Sequence, residues 1–160
     1  ENIPFKNQVK LLFDDNEISH KYSAIYYYNR AENKWVHMKN NSDNNGLSTQ
    51  ILSGGIFAVL QENEKPQIQN IIPSHDSIYY TNDLNEISFM INDELSGVDY
   101  NTIIVKVDDK NLNYEYLPYR KIVRCNLYKP LIAGNHTLDI TIEDKLSNSK
   151  NKKIVFTIND

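Results

Sequence analysis

Apolar and polar residues alternate with a period of two along most of the chain. Ile87, Phe89 and Ile91 are interleaved with Ser88 and Met90, and Ile103, Val105 and Val107 with Lys106. Leu138, Ile140 and Ile142 alternate with Thr137, Asp139 and Thr141, and Ile154, Phe156 and Ile158 with Val155 and Thr157. Successive side chains of a strand point to opposite faces, so each run predicts a strand with one greasy and one mostly wet face. Turn formers separate the runs: Asn92-Asp93, Ser96-Gly97, Asp108-Asp109, Ala133-Gly134-Asn135 and Ser147-Asn148. Strands are predicted near 67–72, 77–80, 86–91, 102–107, 112–116, 122–127, 136–142 and 152–158. That spacing over just under 100 residues suggests an immunoglobulin-like sandwich.

The first 62 residues are less regular. Val9, Leu11 and Phe13 alternate with Lys10 and Leu12. The run Ser23–Tyr28, a turn over Asn29–Lys34, and Trp35-Val36-His37-Met38 read as a hairpin. A polar stretch from Asn40 to Gly46 leads to Leu47–Leu52 and Gly55–Leu60, for four to six strands in all. Asp14–Lys21 has room for one helical turn. Between the two segments, Gln61-Glu62-Asn63-Glu64-Lys65-Pro66 is polar, charged and closed by proline, as a linker is. The expectation is all-β: a small β-sandwich-like module over 1–62, a linker over 63–66, and an immunoglobulin-like β-sandwich over 67–160. About 60 residues bury only a modest core, so the first module is expected to lean on a neighbour.

Composition narrows the functional classes. The net charge is −4 and there is no basic stripe, whereas nucleic-acid binding draws on a positive face. No apolar run reaches the roughly 20 residues of a membrane-spanning helix. The chain starts at Glu1 without Met and reads as a fragment of a larger protein. The single cysteine, Cys125, shares a strand face with Val123 and Leu127 and is expected in the core.

The four histidines, His20, His37, His75 and His136, are scattered and form no zinc-ligand motif. Ser74-His75-Asp76 holds triad residue types, but as neighbours in sequence they cannot adopt triad geometry. The expectation is that the fragment is not an enzyme. In an immunoglobulin-like topology the B–C and F–G loops share one end. Asp93, Asp99 and Asp144 are therefore expected to gather there, with Glu62 and Glu64 from the linker. An oxygen-only cluster of this kind suits Ca²⁺; the alternative is that the aspartates cap turns. The tyrosines Tyr79, Tyr80, Tyr100, Tyr114, Tyr116, Tyr119 and Tyr128 offer either a contact surface or core packing.

Several of these stretches together resemble a known arrangement. Ile25-Tyr26-Tyr27-Tyr28, Lys34-Trp35-Val36 and Gly55-Ile56-Phe57-Ala58-Val59-Leu60 resemble a small β module of exported bacterial proteins. Pro66-Gln67-Ile68, Asp93–Asp99, Pro130–Leu138 and Asp144-Lys145-Leu146-Ser147-Asn148 resemble the immunoglobulin-like module that often follows it. The tandem is similar to the C-terminal accessory region of secreted bacterial proteins, including ones with an M23-type metallopeptidase domain. The resemblance implies a non-catalytic structural or interaction module, extracellular, on the cell surface or periplasmic. It would space or tether the working domain of the parent chain, or bind a protein or surface partner. The alternative it implies is cell-wall or glycan targeting for a secreted peptidase.

Overall fold

The computed structural model describes residues 4–14, 22–43 and 46–160. The helical turn expected over Asp14–Lys21 lies, beyond Asp14, outside the described residues. The chain divides into two compact units, Glu1–Glu64 and Lys65–Asp160, and among the described residues both are built from strands.

The second unit holds two sheets. One has the order β12 (Glu115–Leu117), β13 (Ile122–Asn126), β9 (Glu86–Asn92), β7 (Gln67–Ile72). The other has the order β11 (Lys110–Asn111), β10 (Val98–Val107), β14 (Gly134–Asp144), β15 (Ser149–Asn159), β8 (Ile78–Tyr80). All pairs are antiparallel except β15 with β8, where Thr157, Ile158 and Asn159 run parallel to Ile78, Tyr79 and Tyr80. Read from β7 as strand A, this is the immunoglobulin-like arrangement D-E-B-A facing C′-C-F-G-A′.

The alternation drives this packing. Strand β14 alternates strictly from His136 to Asp144, every second residue buried. Strand β9 does the same through Ile87, Phe89 and Ile91. These faces, with Val105, Val107, Val123, Cys125, Ile154, Phe156 and Ile158, form one core. Each large apolar side chain so buried contributes about 1.5–3 kcal/mol relative to exposure. Cys125 is fully buried in it, as expected. Burial, followed by the nearby Glu86 charge, pushes its thiol up to about 12.

The structure departs from the expected strands in two places. The strand expected at 112–116 is two short pieces, β11 and β12, followed by a 3₁₀ turn at Pro118–Arg120 that ends on left-handed Lys121. Pro118 sets the φ of that turn and leaves Tyr119 fully exposed. Strand β10 starts earlier, at Val98, because an irregularity between Asp99 and Ile104 lets it keep pairing with β14.

Among the described residues the first unit forms two three-stranded sheets, β1-β5-β4 and β3-β2-β6. The strands are β1 (Pro4–Phe13), β2 (Ser23–Asn29), β3 (Lys34–His37), β4 (Asn40–Asp43), β5 (Gly46–Ser53) and β6 (Phe57–Gln61). The expected hairpin is β2 with β3, Tyr27 opposite Val36 and Tyr28 opposite Trp35. The polar stretch after Asn40, which carries no apolar alternation, contains edge strand β4, which pairs with β5 from Asn40–Thr49 to Asp43–Gly46. An edge strand tolerates polar residues because only its backbone is recruited.

Gly46 is required where it stands: its φ is +123°, and a Cβ there would meet the Phe13 carbonyl oxygen at 2.1 Å. The core is small, built from Ala24, Ile25, Tyr26, Leu47 and Ile51. The greasy face expected of β1 is only partly covered: Val9 is exposed, and Leu11 and Phe13 are half-buried.

Two outcomes test this core. Ile140→Ala is expected to cost about 2–5 kcal/mol of stability in chemical denaturation, from lost burial and the cavity left behind. Cys125 is expected to resist thiol-labelling reagents in the native protein and react once denaturant is added; rapid native labelling would contradict the burial.

Candidate acidic loops and buried polar pairs

The loops joining β9 to β10 and β14 to β15 lie side by side at one end of the second unit. Val98 pairs with Asp144 and Asp99 with Glu143, and the Lys145 amide donates to the Gly97 carbonyl at 3.0 Å.

Asp93 organises the first loop. Its Oδ1 accepts the Gly97 amide at 2.6 Å and the Leu95 amide at 3.3 Å. Gly97 sits at φ +84°, a left-handed conformation that glycine adopts at little cost. Asp144 organises the second loop. Its Oδ1 accepts the amides of Leu146 and Asn148, both at 2.8 Å, and its Oδ2 accepts the Asn148 side-chain amide at 2.7 Å. Asp144 is 2% exposed, and a buried carboxylate needs such donors to remain charged.

Burial pushes the Asp93 carboxyl above the usual range, and the Asp144 charge pushes in the same direction. The Gly97 and Leu95 amides and the Lys145 ammonium oppose it. Two carboxylates therefore share this end of the sandwich, each tied into its own turn.

Asp99 and Glu64 are placed differently. The Asp99 Oδ1 accepts the backbone and side-chain amides of Asn101, both at 3.0 Å. Glu62 directly follows β6 and its amide donates to the Tyr22 carbonyl at 2.8 Å. Glu64 is exposed.

A second polar pair was not singled out from the sequence. His136, 5% exposed, stacks on Phe156 with ring centroids 5.5 Å apart. Its Nδ1 lies 2.6 Å from the Asp108 Oδ2, and its Nε2 lies 2.7 Å from the Ile132 carbonyl oxygen. The Asp108 Oδ1 accepts the Thr137 amide at 2.9 Å. Burial raises the Asp108 carboxyl, but the Thr137 amide and the His136 ring outweigh it and hold the group below its usual range. The sequence signal was the pair Asp108-Asp109, both at positive φ. Their turn brings Asp108 against a strand 28 residues away, a proximity that only pairing of β10 with β14 creates.

The remaining histidines stand apart. His75 is exposed, and its Nδ1 accepts the Val155 amide at 3.2 Å. His37 packs edge-on against Tyr26 at 5.5 Å, and His20 lies outside the described residues. The tyrosines divide: Tyr100 stacks on Tyr116 at 4.4 Å, while Tyr119 and Tyr128 are exposed.

Asp93 and Asp108 are expected to affect stability in opposite senses. A carboxyl raised on folding favours the native state when protonated, so its contribution is lost as pH rises through the folded value. A depressed one contributes above its unfolded value and is lost as pH falls through the folded value. Between about pH 3 and pH 6, across the carboxylate range, Asp93→Asn should therefore gain stability relative to the parent as pH rises. Asp108→Asn should lose it. Denaturant titrations at both ends of that range would read this, and movement of both variants in one direction would refute the assignment.

No protein-family model and no curated protein matches the chain. Among solved structures it is similar to CopC from Methylosinus trichosporium OB3b, at 10% identity and a TM-score of 0.48, over 59% of this chain and 93% of that one. It is similar to PcoC, a methionine-rich copper resistance protein from Escherichia coli, at 13% identity and a TM-score of 0.47, over 60% and 100%. Fibronectin(III)-like modules of CbhA from Clostridium thermocellum align over 95% of this chain and 85% of theirs, at 9% identity and a TM-score of 0.40. These likenesses carry no conclusion about ligand or activity.

Proposed function

We propose that the chain is a non-catalytic pair of β-sandwich modules of a larger exported bacterial protein, working outside the cytoplasm. It spaces or tethers that protein's working domain, or presents loops to a partner at the cell surface. The observation that carries this reading is how the polar side chains of the second unit are spent. Asp93, Asp99, Asp144 and Asp108 each accept backbone amides that shape turns, and His136 is held between Asp108 and a backbone carbonyl. General acid–base catalysis asks for such groups to reach a substrate. Cys125 is buried, with its thiol raised rather than lowered, opposite to the shift that activates a nucleophile.

Calcium belongs to this reading as a stiffener of the acidic loops, with Asp93 and Asp144 as its ligands. A cation there would relieve the repulsion between them. Millimolar calcium is expected to raise the melting temperature of the parent more than that of Asp93→Asn. An unchanged melting temperature would remove calcium from the account.

A second reading is cell-wall glycan targeting on behalf of a secreted M23-type peptidase. It is favoured by an aromatic-walled cavity in the first unit. Incubating the chain with isolated cell walls tests both readings. Release of soluble fragments would overturn the non-catalytic reading. Co-sedimentation without release supports targeting, and a chain that stays in the supernatant supports a spacer.

A further inference from the structure

The first unit carries an open cavity of about 480 Å³ lined by residues of both its sheets, within the size range of small-molecule sites. One wall is a cross-strand row. Tyr27 of β2 stands opposite Val36 of β3 on one side and Phe57 of β6 on the other, and all three line the cavity. The other sheet contributes Gln8 of β1 and Gln50 and Leu52 of β5.

The aromatic wall depends on a missing side chain. A Cβ on Gly55 would lie 2.8 Å from the Tyr27 Cε2 and 3.4 Å from the Phe57 Cε2. Gly55 is not at a positive φ, so the backbone does not demand glycine; the Tyr27 ring does. The Tyr27 and Phe57 rings are 5.6 Å apart and tilted by 48°.

The chemistry of the lining selects the ligand. Among the described lining residues there is no Asp, Glu, Lys or Arg, and His37 and Ser53 are the other polar side chains, so the lining favours a neutral ligand with hydrogen-bonding groups. Aromatic and aliphatic walls take a flat apolar face. The carboxamides of Gln8 and Gln50 offer both donors and acceptors. An N-acetylated amino sugar presents this combination: a C–H face for the rings, a methyl for Leu52, and an amide for the glutamines. A plain neutral hexose lacks the last two.

We propose that this cavity, walled by Tyr27 and Phe57 and edged by Gln8 and Gln50, binds an N-acetylated amino sugar unit. This deepens the glycan-targeting reading above and rests on it.

The test uses the whole chain with the trimer of N-acetylglucosamine as probe and cellotriose as the neutral-hexose control, followed by NMR titration. Saturable shifts confined to the aromatic and glutamine side chains of the cavity are expected with the first sugar and not the second. Gln8 and Gln50 are both exposed, so the double variant Gln8→Ala/Gln50→Ala keeps the fold and should weaken binding about tenfold or more. Gly55→Ala, with its melting temperature monitored, should displace the Tyr27 ring and weaken binding as well.

Absence of shifts with the N-acetylated trimer, an equal response to cellotriose, or unchanged affinity in the double variant would overturn the proposal. Cell-wall sedimentation separates the two levels. If parent and double variant pellet equally, the cavity assignment fails and targeting stands. If the parent neither pellets nor binds sugar, both fail.

Discussion

The inner faces of β9, β10, β13, β14 and β15 must leave water together, because a single sheet cannot cover its own apolar side. Ile87, Phe89 and Ile91 from one sheet and Leu138, Ile140, Ile142, Ile154 and Phe156 from the other therefore share one core. Side-chain direction reverses at every residue of a strand. A register slip of one would thus expose the whole set, and this ties the pairing of β14 with β15 to one alignment across its length. Everything at the ends of the sandwich inherits that alignment.

The loops illustrate the dependence. With Val98 held opposite Asp144, the turns after β9 and β14 are forced into contact, and each must dispose of its backbone amides in a partly buried place. Aspartate is suited to this because one carboxylate oxygen can accept two amides at once. Asp93 and Asp144 both do so. Burial raises the Asp93 carboxyl, and the nearby Asp144 charge adds to the rise. The same logic at the β10–β11 turn gives a different balance. There Asp108 accepts the Thr137 amide and faces the His136 ring instead of a second carboxylate, and its carboxyl is held down. Identical residue types thus carry opposite electrostatic roles according to what the strand pairing sets against them.

The first unit obeys the same physics with less material. Among the described residues its core rests on Ala24, Ile25, Tyr26, Leu47 and Ile51, and β1 keeps Val9 and Leu12 exposed. With so little to bury, this unit leaves a cavity open against residues of both its sheets, and the Val36–Tyr27–Phe57 row lines it. In this unit the incomplete packing is itself the feature of interest.

Much of the architecture was legible in the order of residues, because a period of two dictates strands and turn-forming residues dictate where they stop. The two-sided core, the burial of Cys125 and the meeting of the β9–β10 and β14–β15 loops followed from it. The strand at Asn40–Asp43 did not, since an edge strand is recruited through its backbone and leaves no apolar pattern. Nor did the His136–Asp108 pair or the cavity beside Gly55. These join residues far apart in the chain, and the distances that give them chemistry exist only once the sheets are assembled. Local pattern therefore decided which segments are strands and which face is buried, while pairing across strands decided which carboxylates repel, which histidine is clasped and where an aromatic wall stands open.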